Sequence, residues 1–109
     1  MPYDEKLAER IRRELGPLPG LVEKKMFGGT GFMLHGNMAC GVHGDDLVAR
    51  VGPERYDEAL ARPHARPFDM TGRPMKGWVA VAPAGVATEG ELRAWVQQCV
   101  EYTSALPPK

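Results

Sequence analysis

The sequence predicts an α+β fold: a two-layer sandwich of one antiparallel sheet and three helices, in the order α-β-β-β-β-α-(β)-β-α. Three observations carry this. Short apolar runs between residues 21 and 51 are divided by glycine-containing pairs, the chemistry of tight hairpin turns. Amphipathic helical patterns stand before and after that region. Strands joined by such turns are antiparallel neighbours, and helices gathered on one face of them make two layers.

The first helix opens at Asp4, a suitable N-cap, and repeats apolar residues at Leu7, Ala8, Ile11 and Leu15. Glu9, Arg10, Arg12, Arg13 and Glu14 read as its solvated face, and Gly16, Pro17, Pro19 and Gly20 stop it. Four strands follow over 21–27, 30–35, 38–43 and 46–51, separated by Gly28-Gly29, Gly36-Asn37 and Gly44-Asp45. With Gly36-Asn37 and Gly44-Asp45 as two-residue loops, Met33 pairs with Cys40, Cys40 with Ala49, and Val42 with Leu47. One face then carries Met33, Met38, Cys40, Val42, Leu47, Ala49 and Val51 as the core. The other face carries Phe32, Leu34 and Val48, flanked by His43 and Arg50.

Gly52-Pro53 starts a short helix through Tyr56, Ala59 and Leu60. The segment 62–77 is proline-rich loop with room for an edge strand at 66–70, and 78–82 is a strand. Thr88 and Glu91 form a capping box that opens the last helix, whose core stripe is Leu92, Trp95, Val96, Cys99, Val100 and Thr103.

The chain has 109 residues, the size of one domain (1–109), and 43% hydrophobic residues, enough for one core. Fourteen basic and 14 acidic residues cancel, which disfavours strong nonspecific nucleic-acid binding. No apolar run reaches membrane-span length and the N-terminus has no signal-peptide core, so a cytoplasmic protein with no membrane contact is expected. Two cysteines 59 residues apart form no zinc pattern. Cys40 and His43 stand three apart on a strand and so point to opposite faces, which excludes a shared metal ion or a nucleophile pair. Gly28-Gly29-Thr30-Gly31 leads into a strand rather than a helix, so it is a turn rather than a phosphate loop. No catalytic residue, metal or cofactor is expected. Lys24, Lys25, Arg50, Arg66, Arg73 and Lys76, interleaved with Phe27, Phe32 and Trp78, permit nucleic-acid contact of a weak kind.

Several strings are distinctive: Glu23-Lys24-Lys25-Met26-Phe27-Gly28-Gly29, His35-Gly36-Asn37-Met38-Ala39-Cys40-Gly41-Val42, Asp45-Asp46-Leu47, Arg50-Val51-Gly52-Pro53 and Thr71-Gly72-Arg73-Pro74-Met75-Lys76-Gly77-Trp78-Val79. In this order they resemble the N-terminal domain of the TfoX/Sxy family, regulators associated with natural competence. The resemblance covers nearly the whole chain. It implies a two-layer fold with an antiparallel sheet and a regulatory or interaction role rather than catalysis. Full-length members resembling competence regulators carry a second, helical domain, so a single-domain relative is expected here. The resemblance supplies no catalytic residues.

The function expected is therefore a regulatory module acting through protein contacts. The alternatives are a nucleic-acid accessory, and a small-molecule binder or enzyme with a pocket near Gly28-Gly29 and the loop from Met75 to Trp78. Two interaction surfaces are expected. One is the loop 62–77, through Arg73, Met75 and Lys76 beside Trp78. The other is the Phe32, Leu34, Val48 and Arg50 face, which would support a homodimer or dock a partner.

Overall fold

The computed structural model describes residues 3–26, 28–69 and 75–108. Helix α1 spans Glu5–Leu15 and buries Leu7, Ala8, Ile11 and Leu15. Asp4 caps it, its Oδ1 accepting from the Lys6 and Leu7 amides at 2.9 and 3.2 Å. Four strands follow: β1 (Leu21–Met26), β2 (Gly29–Leu34), β3 (Asn37–His43) and β4 (Asp46–Arg50). A 3₁₀ turn at Pro53–Arg55 leads into α2 (Tyr56–Leu60). Strand β5 (Ala65–Pro67) occupies the start of the expected edge strand, and β6 spans Trp78–Val81. A second 3₁₀ turn, Pro83–Val86, precedes α3 (Glu89–Ser104), which opens on the Thr88–Glu91 capping box.

The sheet order is β1-β2-β3-β4-β6-β5, antiparallel throughout. Strands β4 and β5 therefore run in the same direction. Helix α2 lies on the connection between them, and β6 returns into the gap. One sheet face, with Phe32, Cys40, Val42, Leu47, Ala49, Val79 and Val81, shares a single core with Ile11, Leu92, Trp95, Val96 and Cys99 of the helices. Each large side chain buried there contributes about 1.5–3 kcal/mol.

The β3–β4 register agrees with expectation: Cys40 pairs with Ala49 and Val42 with Leu47. The β2–β3 register does not. Leu34 pairs with Asn37 and Met33 with Met38, so the loop is His35-Gly36, one residue earlier than expected. Both loop residues have positive φ, 51° and 86°, the pattern of a type I′ turn. Asn37 is held on the strand instead, buried and donating from Nδ2 to the Pro107 carbonyl at 2.9 Å. A bulge between Phe32 and Met33 then sets Phe32, and not the expected Met33, opposite Cys40.

The consequence is an exchange of faces on β2. Phe32, 1% exposed, belongs to the core, and Leu34 is also buried, at 4%. Val48 does lie on the face away from the helices, yet it is only 2% exposed. The expected exposed patch of Phe32, Leu34 and Val48 is thus corrected: none of the three is at the surface.

What covers Val48 is local. The register sets Lys24, Gly31, Gly41, Val48, Ala80 and Arg66 in one row across all six strands. Phe68, just past β5, reaches over β6 and β4 to meet the His43 ring edge-on at 6.0 Å. The Cε of Met38 lies over Gly41. The charged face of α1 is not merely solvated, because it ties elements together. Arg10 binds Glu89 at 2.8 Å, Arg12 binds Glu23 at 2.6 Å, and Glu14 accepts from Arg93 at 3.0 Å. Near the surface each such pair is worth below about 1 kcal/mol.

Candidate interaction site

The two segments Arg50-Val51-Gly52-Pro53 and Met75-Lys76-Gly77-Trp78 lie far apart in sequence and meet at one end of the sheet. Arg50 and Trp78 are a cross-strand pair between β4 and β6. Just beyond it, the Gly77 carbonyl accepts from the Val51 and Gly52 amides at 2.8 and 3.1 Å. Gly77 has φ +96°, and a Cβ there would stand 3.1 Å from the Gly52 backbone, so glycine serves both the turn and the close approach.

The Arg50 guanidinium packs against two aromatic rings there. Its Cζ lies 5.1 Å from the Trp78 ring centroid and 5.6 Å from that of Tyr102 on α3. Nη1 donates to the Met38 carbonyl at 3.3 Å, beside the β2–β3 bulge. Arg50 thus joins the sheet layer, the helix layer and the irregular start of β3. Around it Met75 and Trp78 are half-buried and Lys76 is exposed. Neither Tyr102 nor the bulge carbonyl carries a sequence signal for this contact. An open cleft of about 430 Å³ adjoins, lined by Val51, Pro53, Glu54, Gln98 and Tyr102.

The other expected residues are dispersed. Arg73 and Phe27 lie outside the described residues, as does the side chain of Met26. Lys24 and Lys25 are exposed on β1, at the opposite edge of the sheet from Arg66. Lys24 and Arg66 end the same six-strand row, about 24 Å apart at the usual strand spacing. Arg66 is paired with Asp46. The five basic candidates among the described residues therefore do not assemble into one patch. Gly28 is an exposed turn residue at φ +74°, and Gly29 is buried on β2.

The chain matches the model of the TfoX N-terminal domain over residues 13–103. It belongs to the TfoX N-terminal domain family. No curated protein and no solved structure matches it. In this TfoX N-terminal domain the distinctive strings have structural roles as well. Glu23 accepts from Arg12 and from the Thr30 hydroxyl, at 2.9 Å for the latter, binding β1 to α1 and β2. The Arg12 guanidinium holds the Glu23 carboxyl below its ordinary range.

Cys40 and His43 point to opposite faces, as strand alternation requires: Cys40 is fully buried and His43 exposed against Phe68. Among the described residues no cluster of three or more His, Cys, Asp or Glu could hold a metal ion. None of the described helices is long and apolar enough to cross a membrane. Burial raises the Cys40 thiol well above its ordinary value and pushes Cys99 up to about 12. An unfolded chain ionises both thiols near pH 9, so their contribution to stability is complete below that pH and falls above it, that of Cys99 being lost toward pH 12. Native protein at pH 8 is expected to leave both thiols untouched by a thiol-specific dye, with two equivalents reacting after denaturation. Rapid labelling of the native chain would contradict this burial.

Proposed function

We propose that this domain is a cytoplasmic regulatory module that works by holding a protein partner, without catalysis, and that the Arg50–Trp78 end of the sheet is part of its contact surface. The observation that supports this is the convergence of two family-like segments on one rigid, partly exposed end. Tryptophan, methionine and arginine are the residue types enriched where proteins meet. Here the arginine is already held against two rings and the Met38 carbonyl, so binding costs less side-chain entropy. The family supports a TfoX-like regulatory role.

The test is charge reversal in the loop next to Trp78. Arg73→Glu with Lys76→Glu should reduce capture of the partner from native extract at least tenfold while the melting temperature stays nearly constant. Unchanged capture would show that the loop is a connector to β6 and would sink this reading of the surface.

A further inference from the structure

The sheet has two edges, and they are not alike. Strand β5 has three residues and ends in Pro67, which has no amide hydrogen. Such an edge is poorly suited to further pairing. Strand β1 has six residues and no proline.

The direction of its free backbone groups follows from one bond. The His35 amide donates to the Gly20 carbonyl at 3.0 Å. In an antiparallel pair, bonded and non-bonded residue pairs alternate. With Val22 opposite Met33 and Lys24 opposite Gly31, the bonded pairs are those at Val22 and Lys24. The amides and carbonyls of Glu23 and Lys25 consequently point out of the sheet. Among the described residues they meet no other backbone group. The Leu21 amide also avoids β2, and bonds instead to the Leu18 carbonyl at 3.3 Å.

The side chains along this edge have a definite chemistry. Val22 is 52% exposed, the one exposed large hydrophobic among the described residues. Lys24 and Lys25 are exposed, one on each face, and have no carboxylate partner among the described residues. Glu23, the only acid on the strand, is consumed by Arg12 and Thr30. The edge thus offers a backbone ladder, one apolar contact and two unpaired cations.

We propose that β1 takes up an extended, acidic segment of a partner protein as a seventh strand. The pairing would be of the strand-addition type, in which backbone bonds give affinity and alternate side chains give specificity. The segment would place an apolar residue beside Val22 and a carboxylate beside each lysine. A second copy of this chain fits worse, because the two central registers that join outward-facing backbone groups, centred on Glu23 or on Lys24, set glutamate against glutamate or lysine against lysine. A nucleic acid would use the two lysines but has no strand backbone to offer the ladder. The proposal rests on the reading of the domain as a protein-contact module and adds the partner's chemistry.

The probe is a labelled, end-blocked peptide, Thr-Glu-Glu-Thr-Val-Thr-Glu-Glu-Thr, which has the required pattern in either strand direction. Its binding is followed by fluorescence anisotropy against wild type and against the double variant Lys24→Glu, Lys25→Glu, whose fold is checked by melting. Wild type should bind this peptide at least tenfold more tightly than the same peptide with lysine for glutamate. The double variant should reverse that order, and methylating alternate backbone amides should abolish binding. Equal binding of the two peptides overturns the proposal, as does undiminished binding of the methylated one. So does a short DNA duplex displacing the peptide, or light scattering that finds β1 occupied in a homodimer. If the peptide fails while reversal at Arg73 and Lys76 still abolishes partner capture, the edge proposal falls and the protein-contact reading stands. If capture is also unaffected, both fall.

Discussion

Phe32→Ala is expected to remove about 3–5 kcal/mol of stability, the usual cost of deleting a buried aromatic ring. The ring is 1% exposed and lies in the core opposite Cys40, beneath the helices. A domain of this size has about 5–15 kcal/mol in total. The variant should therefore unfold at a markedly lower denaturant concentration, or purify unfolded. Leu34→Glu should be worse, because a carboxylate would replace an apolar side chain that is 4% exposed. Equilibrium denaturation monitored by circular dichroism measures both. A Leu34→Glu protein that stays folded and merely changes its oligomeric state would return Leu34 to the surface and overturn the β2 register. A homodimer built on that face is no longer the natural explanation of its apolar residues.

Most of this architecture is legible in the sequence, and the wrong strand register comes from one hairpin, its turn and its bulge. The β3–β4 register could be read because Gly44, at φ +60°, sits where the pair Gly44-Asp45 suggests a turn. At the preceding hairpin the composition is misleading. Asn37 looks like a turn residue, but it is drawn onto β3 by the Pro107 carbonyl, 70 residues away. His35 looks like a strand residue, but it adopts φ 51° with its ring against Gly20 and its amide on the Gly20 carbonyl. Both choices are made by tertiary contacts, so no local pattern announces them. Moving the two-residue loop by one position displaces the pairing by two residues, and the bulge between Phe32 and Met33 takes one back, so the net slip is one residue and the side chains change face. That is why Phe32 and Met33 exchange roles. The position of β6 between β4 and β5 is likewise a matter of long-range pairing. At the candidate site, the residues Arg50 and Trp78 were visible, but the Tyr102 ring that completes their stack was not.

Gly28 and Gly29 look equivalent in the sequence and should respond very differently to a methyl group. Gly28 has φ +74°, with nothing within 4 Å of a Cβ placed on it. Alanine there pays only the strain of the left-handed conformation, about 1–2 kcal/mol, and asparagine, which tolerates that conformation, less. Gly29 has no such strain, but its Cβ would collide with the Val42 carbonyl oxygen. That oxygen belongs to β3, the strand next to β2, and is backbone rather than the end of a flexible side chain. Relief requires the two strands to separate where Thr30 pairs with Val42. Gly29→Ala should then exceed the about 1–3 kcal/mol of ordinary overpacking, since the obstacle cannot rotate away. The expected order of melting temperatures is wild type, Gly28→Asn, Gly28→Ala, and Gly29→Ala far below. Amide exchange should show the loss spreading from β2 into β3, where Gly41 packs a second glycine against the Thr30 carbonyl. Equal melting of Gly28→Ala and Gly29→Ala would mean that β2 and β3 are not in this close register, and with it the burial of Phe32 would need another cause.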